Sequence, residues 1–250
     1  MAVWSAMAPA SAATMETVDL RALAFDVFGT VVDWRSSIIE EVGAAAGRHG
    51  RTVDAAAFAD AWRRRYQPSM DRVRQGAIGW TALDALNRAS LDNLLRKFSL
   101  EVLDESERED LNRAWHRLRP WPDAVAGLTR LRPRHVLCTL SNGNVALLVD
   151  LARSGALPFD CILSAELCRA YKPDPRTYRM VPELLALRPD QVLMVAAHPD
   201  DLRAASREGL RTAFVHRPLE WGAAATPPEP AGAFDLAAVD FEDLAAQLGC

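Results

Sequence analysis

The chain has 250 residues, 50% hydrophobic and 25% charged, with a formal net charge of −4. These fractions belong to a globular protein and exclude a disordered or collagen-like one; a chain of this length buries roughly 70–75% of its unfolded surface without help from disulfides or a structural metal. Its mildly acidic balance leaves no electrostatic footprint for nucleic acid, and the arginines of Trp62-Arg63-Arg64-Arg65-Tyr66, offset by nearby acids, read as a solvated helix face. Cys138, Cys161, Cys168 and Cys250 form no CxxC pair and have no histidine at metal-ligand spacing. Cys138 and Cys161 sit inside apolar runs and read as buried small hydrophobes, which fits a reducing cytoplasm. No stretch approaches the ~20 apolar residues of a membrane span. Residues 1–18 contain no Lys or Arg and read as a disordered N-terminal extension rather than a signal peptide.

Taken in chain order, residues 21–27 form a short apolar run ending at Phe28-Gly29-Thr30, a buried strand followed by a tight turn. From about residue 36 to 119 the apolar residues recur at helical spacing (Val42, Ala45, Ala46; Phe58, Trp62, Tyr66; Leu83, Leu86, Leu91, Leu94, Leu95) and strand-like runs are missing. After Pro120-Trp121-Pro122, strands over 135–140, 161–163, 192–196 and 212–215 alternate with helices over 124–131, 146–152, 175–185 and 202–208. Pro227-Pro228-Glu229-Pro230 marks a surface loop before a last strand–helix pair ending near Leu248. Such alternation predicts an α/β fold: a doubly wound parallel-sheet (Rossmann-like) core, covered on both faces, with an inserted helical cap. The expected boundaries are 19–34 and 119–250 for the core and 35–118 for the cap.

Ligands of open parallel sheets bind beyond the carboxyl ends of the strands, so the residues after each strand are the candidates. Asp26 ends the first strand among apolar neighbours, where a carboxylate is costly unless paired or hydrogen-bonded; it is either a functional acid or a turn cap. Ser141-Asn142-Gly143 offers hydroxyl, amide and turn N–H groups to an anion, or is a plain Asn-Gly turn. Lys172 is a site cation or a surface-loop lysine. Asp201 is a site acid or the cap of the helix beginning at Leu202.

Asp, Ser/Asn, Lys and Asp, in that order after successive strands, resemble the four motifs of the haloacid dehalogenase superfamily, over the chain from about Arg21 to its end. Most of that superfamily transfers phosphoryl groups with Mg²⁺, using an acid two positions after the first Asp and a paired acid in the fourth motif. Here those positions hold Phe28 and Ala197, which weakens the alternative reading as a Mg²⁺-dependent phosphatase of small metabolites. Asp26-Val27-Phe28-Gly29-Thr30, Leu140-Ser141-Asn142-Gly143 and Lys172-Pro173-Asp174-Pro175-Arg176-Thr177-Tyr178 resemble the type II L-2-haloacid dehalogenases, and the Ala196-Ala197-His198 segment resembles a subgroup with defluorinating members.

The resemblance implies a metal-free, cofactor-free hydrolysis of short 2-haloalkanoic acids (chloroacetate, (S)-2-chloropropionate, by extension fluoroacetate) to 2-hydroxy acids through an Asp26 ester. It implies that Lys172 keeps Asp26 ionised, that Thr30 and Tyr178 support the site, and that Ser141 and the backbone N–H groups of Val27 and Phe28 bind the substrate carboxylate. Asn142 matches a halide contact. The cap arginine that receives the halide falls on Arg72 or Arg74, with Arg72 preferred. Trp34, Trp62 and Trp80 either wall the pocket or pack the cap. The best-known members have Ser-Ser-Asn where this chain has Ala196-Ala197-His198, so His198, polarised by Asp201, is the expected base for ester hydrolysis. The partners implied are the haloacid and halide, with no nucleic acid and no membrane; a homodimer is suggested by the family alone.

Overall fold

The computed structural model describes residues 19–223, 225 and 234–250; the extension expected at 1–18 and the proline-rich loop at 227–230 lie outside them. The first strand, β1 (Ala22–Phe25), has all four side chains buried, as a strand covered on both faces requires. Leu23 and Phe25 enter one apolar cluster and Ala22 and Ala24 another, the period of two that a pleated strand imposes.

The chain then makes β2 (Val32–Asp33) and five helices: α1 (Trp34–Arg48), α2 (Ala55–Arg64), α3 (Tyr66–Arg74), α4 (Leu83–Lys97) and α5 (Glu105–Asn112). A 3₁₀ turn at Arg113–His116 leads into β3 (Arg119–Pro120), which pairs antiparallel with β2. The starts of α1, α2 and α5 are set by Asp33, Asp54 and Asp104, whose carboxylates accept backbone N–H groups of the first turn; an acidic N-cap both satisfies a free donor and complements the helix dipole. Trp34, Trp62 and Trp115 pack ring against ring, 5.4–6.4 Å between centroids, and join the same cluster as Phe25, so the apolar interior runs from the sheet into the helical segment.

From there the elements alternate: α6 (Ala124–Leu131), β4 (Val136–Ser141), α7 (Val145–Ser154), β5 (Cys161–Ser164), α8 (Ala165–Cys168), α9 (Pro175–Leu185), β6 (Val192–Ala196), α10 (Pro199–Arg207), β7 (Arg211–Val215), β8 (Leu236–Ala238) and α11 (Phe241–Gln247). Among the described residues, six strands form one parallel sheet in the order β5-β4-β1-β6-β7-β8, the doubly wound α/β fold that the alternation predicts. The order reverses at β1, so the crevice beyond its carboxyl end is the topological switch point where such sheets bind ligands. Asp26 is the next residue.

Two expectations need correction. The helix placed at 202–208 begins at Pro199, because proline's fixed φ and missing N–H suit a first helical position. Cys138 is buried, but Cys161 is partly exposed because β5 lies at the sheet edge.

Candidate active site

Asp26 is nearly buried, and its two oxygens have different partners. Oδ2 accepts a 2.8 Å hydrogen bond from Thr30 Oγ1 and lies 3.0 Å from His198 Nδ1; Oδ1 has Lys172 Nζ at 3.4 Å. Thr30 reaches back because the turn passes through Gly29 at φ +87°, where a Cβ would also fall 2.2 Å from Glu220 Oε1; glycine alone meets both demands. Thr30 Oγ1 in turn accepts the Ala197 N–H at 3.0 Å, which ties the β1 loop to the β6 loop. Behind them Arg217 donates to the Thr30 carbonyl at 2.9 Å and forks onto both Asp123 oxygens at 2.8 Å.

Lys172 Nζ donates to Asp201 Oδ2 at 2.6 Å, and Tyr178 OH donates to Asp201 Oδ1 at 2.6 Å. The Lys172 backbone is held on two sides: its N–H donates to Asn142 Oδ1 at 2.8 Å, and Arg74 donates to its carbonyl. His198 Nε2 lies 3.1 Å from both oxygens of Glu220, whose Oε1 also accepts from Trp34 Nε1 at 3.1 Å. Glu220 is 1% exposed.

These contacts set the charges. Burial pushes the Asp26 carboxyl up, but the Lys172 charge and then the His198 hydrogen bond outweigh it, and its pKa falls well below the usual carboxylate range. Burial lowers Lys172, while the Asp201 and Asp26 charges raise it further, so the ammonium persists. For His198, burial opposes the charge, yet the Glu220 charge and the Asp26 hydrogen bond push it up to about 10. At neutral pH His198 is therefore an imidazolium donating to a carboxylate on each side. Burial raises Glu220, but the His198 charge more than reverses it and holds the carboxyl below its ordinary value. At Asp201, burial outweighs the Lys172 charge and the pKa rises.

A haloacid dehalogenase-like hydrolase family matches residues 20–209. The (S)-2-haloacid dehalogenase 4A of Burkholderia cepacia is 32% identical over 208 residues, covering 79% of this chain and 84% of the relative. The crystal structure of a defluorinating L-2-haloacid dehalogenase superposes with a TM-score of 0.89 at 47% identity, over 92% of this chain and 96% of that one. That of the Xanthobacter autotrophicus L-2-haloacid dehalogenase with chloropropionic acid covalently bound gives 0.78 at 27% identity, over 92% and 98%.

The chain belongs to the (S)-2-haloacid dehalogenases of the haloacid dehalogenase-like hydrolase family.

In this dehalogenase a cleft of about 610 Å³ is lined by Asp26, Phe28, Asn142, Lys172, Tyr178, His198 and Asp201, seven of the residues expected from the sequence. Thr30 stands behind Asp26. Val27 and Ser141 are buried and are not among the lining residues; the Ser141 hydroxyl turns back to accept the Gly143 N–H at 3.3 Å. Trp34 and Trp62 are interior packing, and Trp80 lies on Tyr171, 4.7 Å between ring centroids.

The expected arginine is displaced. Arg72 is exposed and does not line the cleft, because it faces outward on α3, and Arg74 serves the Lys172 loop from behind. Arg63 lines the cleft instead, with Tyr66 and Gln67. The Trp62–Tyr66 stretch is thus no uniformly solvated face: Arg64 and Arg65 are exposed, whereas Arg63 lies over the Tyr66 ring at 4.3 Å with its Nη1 buried and, among the described residues, without a hydrogen-bond partner.

The expected partner of His198 is also displaced. Asp201 is occupied by Lys172 and Tyr178, and Glu220 takes the imidazole. Glu220 follows β7, so the rule that points to residues after each strand also reaches it when applied to the 212–215 run.

Proposed function

We propose that the protein hydrolyses short 2-haloalkanoic acids, chloroacetate and (S)-2-chloropropionate among them, to 2-hydroxy acids through an ester on Asp26. The observation that carries this reading is a buried carboxylate held ionised by Lys172 and His198, with one oxygen, Oδ1, only loosely engaged. A carboxylate so placed is a nucleophile. Oδ1 attacks the halogen-bearing carbon in line, the C–X electron pair leaves with the halide, and the configuration inverts. The unpartnered Arg63 Nη1 receives the halide, with Asn142 beside it; the backbone N–H groups of Val27 and Phe28, with Ser141 beneath, hold the substrate carboxylate. Water then attacks the ester carbonyl with His198 as base, and the hydroxy acid departs. Residues 35–118 act as the cap that closes over this chemistry.

The donor set does not suit Mg²⁺, which calls for several hard oxygen ligands. Phe28 and Ala197 are apolar, and Asp26 and Asp201 are already bound to the Lys172 ammonium. A dication there would face both Lys172 and the charged His198. A relative with covalently bound chloropropionic acid supports the ester route. Fluoride release is open to assay: two solved relatives, each 47% identical with a TM-score of 0.89, are described as a defluorinating L-2-haloacid dehalogenase and as an L-2-haloacid dehalogenase. No helix among the described residues is long and apolar enough to cross a membrane. Free cysteines support a reducing cytoplasm as the place of action, and the homodimer rests on the family resemblance.

The test is halide release in EDTA from chloroacetate, both 2-chloropropionate enantiomers and fluoroacetate. Release that ignores EDTA, prefers the S enantiomer and disappears in Asp26→Asn is the expected result. Phosphate-ester hydrolysis that needs Mg²⁺, with no halide from any substrate, would overturn the reading.

A further inference from the structure

His198 is bracketed by two carboxylates, one of which the proposed reaction consumes. Its Nδ1 is 3.0 Å from Asp26 Oδ2 and its Nε2 is 3.1 Å from each Glu220 oxygen. Oδ2 therefore holds two close donors, Thr30 and His198, against one 3.4 Å contact at Oδ1. We propose that His198 works in two charge states within each turnover: as an imidazolium it clamps Asp26 Oδ2 and leaves Oδ1 to attack, and esterification of Asp26 then discharges it into the base for the second half-reaction. Glu220 is the positioning residue that fixes the ring in both states. This inference rests on the ester mechanism proposed above.

The flanking carboxylates hold the imidazole up to about 10 in the resting enzyme, so it begins with no lone pair to accept a proton. The charged groups that touch it or share its cleft are Asp26 beyond β1, Glu220 beyond β7, Lys172 beyond α8, Asp200, Asp201, Arg203 and Arg207 on α10 and, on the Glu220 side, Arg63 on α2. Esterification removes the negative charge of Asp26 and leaves Lys172 positive, so the field that favoured the imidazolium weakens. His198 gives its Nδ1 proton to solvent; this is the one proton released per turnover. Glu220 keeps the Nε2–H, which leaves the Nδ1 lone pair towards the ester. Nδ1 and the ester carbonyl Oδ2 are then two acceptors that cannot bond each other, and a water molecule beside them donates one O–H to Nδ1. As its oxygen joins the carbonyl carbon, Nδ1 takes the proton and returns it to the departing alkoxide as the C–O bond to Asp26 breaks. The acid thus formed on Asp26 ionises onto His198, and the clamp is restored.

The experiment follows the His198 ring by NMR against pH in the wild type and in Asp26→Asn, whose neutral amide has the charge of the ester. The expected result is a downward shift of about two pH units in the variant; the same titration in both proteins would overturn the proposal. Glu220→Gln mixed with chloroacetate gives a second readout: one equivalent of halide per site, with the ester accumulating as a mass gain on the Asp26 peptide. Ester hydrolysis as fast as wild type in that variant would also overturn it. Failure of the ester reading looks different: Asp26→Asn would continue to release halide.

Discussion

Arg63 places a guanidinium 4.3 Å from the Tyr66 ring and 5.4 Å from the Trp34 ring while its Nη1 stays buried without a partner. A buried donor left unpaired costs about 1–3 kcal/mol, a burden that the halide of the proposed reaction would relieve. Arg63→Met, which retains the length of the apolar stem, is expected to lower halide release from chloroacetate about 10²-fold or more, whereas Arg72→Ala behaves as wild type in the same steady-state assay. The reverse pattern would return the halide site to α3. Sequence spacing could not separate these arginines. Arg63 follows the buried Trp62 by one residue, about 100° round the helix, and whether that margin meets solvent or a cleft depends on where α2 lies over the sheet. Asp26, Asn142, Lys172 and Asp201 were legible because they follow strands, and Tyr178 through the family resemblance alone; Arg63 depends on packing between elements distant in sequence.

The strands were readable from apolar runs and most helices from periodicity, with boundaries moved by local chemistry, as at Pro199. Less legible were the close approaches. Gly127 on α6 sits against Phe241 at the start of α11, where a Cβ would meet the Phe241 Cβ at 2.4 Å and its carbonyl carbon at 2.6 Å. Gly127→Ala must push the helices apart and is expected to cost about 1–3 kcal/mol. Gly47 on α1 has no atom of another part of the described residues within 4 Å of an added Cβ, so Gly47→Ala should gain about 0.5–1 kcal/mol from helix propensity alone. Urea denaturation of the two variants checks the contrast in sign. The Glu220 loop returns to the site because Arg217, three residues earlier, is fixed to Asp123 and the Thr30 carbonyl.

Across the whole molecule, the helical insertion is joined to the sheet domain by a polar bridge as well as by the aromatic interior. His116 Nε2 meets Asp84 of α4 at 3.0 Å and Nδ1 meets Asp150 of α7 at 2.7 Å, while Asn144, just before α7, donates to the same Asp84 oxygen at 2.9 Å. Burial lowers the His116 pKa, but the hydrogen bonds to Asp84 and Asp150 raise it further, to a net value above the ordinary one. A folded-state pKa above the unfolded value of about 6.5 stabilises the fold fully below that pH, and the contribution is lost as pH rises through the folded value. His116→Gln is therefore expected to lose more stability at pH 6 than at pH 9 in paired urea melts; an equal loss at both would assign His116 to packing alone.

In the proposed reaction Asp26, and not water, makes the first bond to the substrate carbon. A single turnover with enzyme in excess over chloroacetate in H₂¹⁸O distinguishes the two, because water that attacks the Asp26 ester leaves its oxygen on Asp26. The predicted result is one ¹⁸O in the Asp26 peptide and none in the glycolate. Label in the glycolate, with Asp26 unchanged, would mean that water attacks the substrate carbon itself and that no Asp26 ester forms.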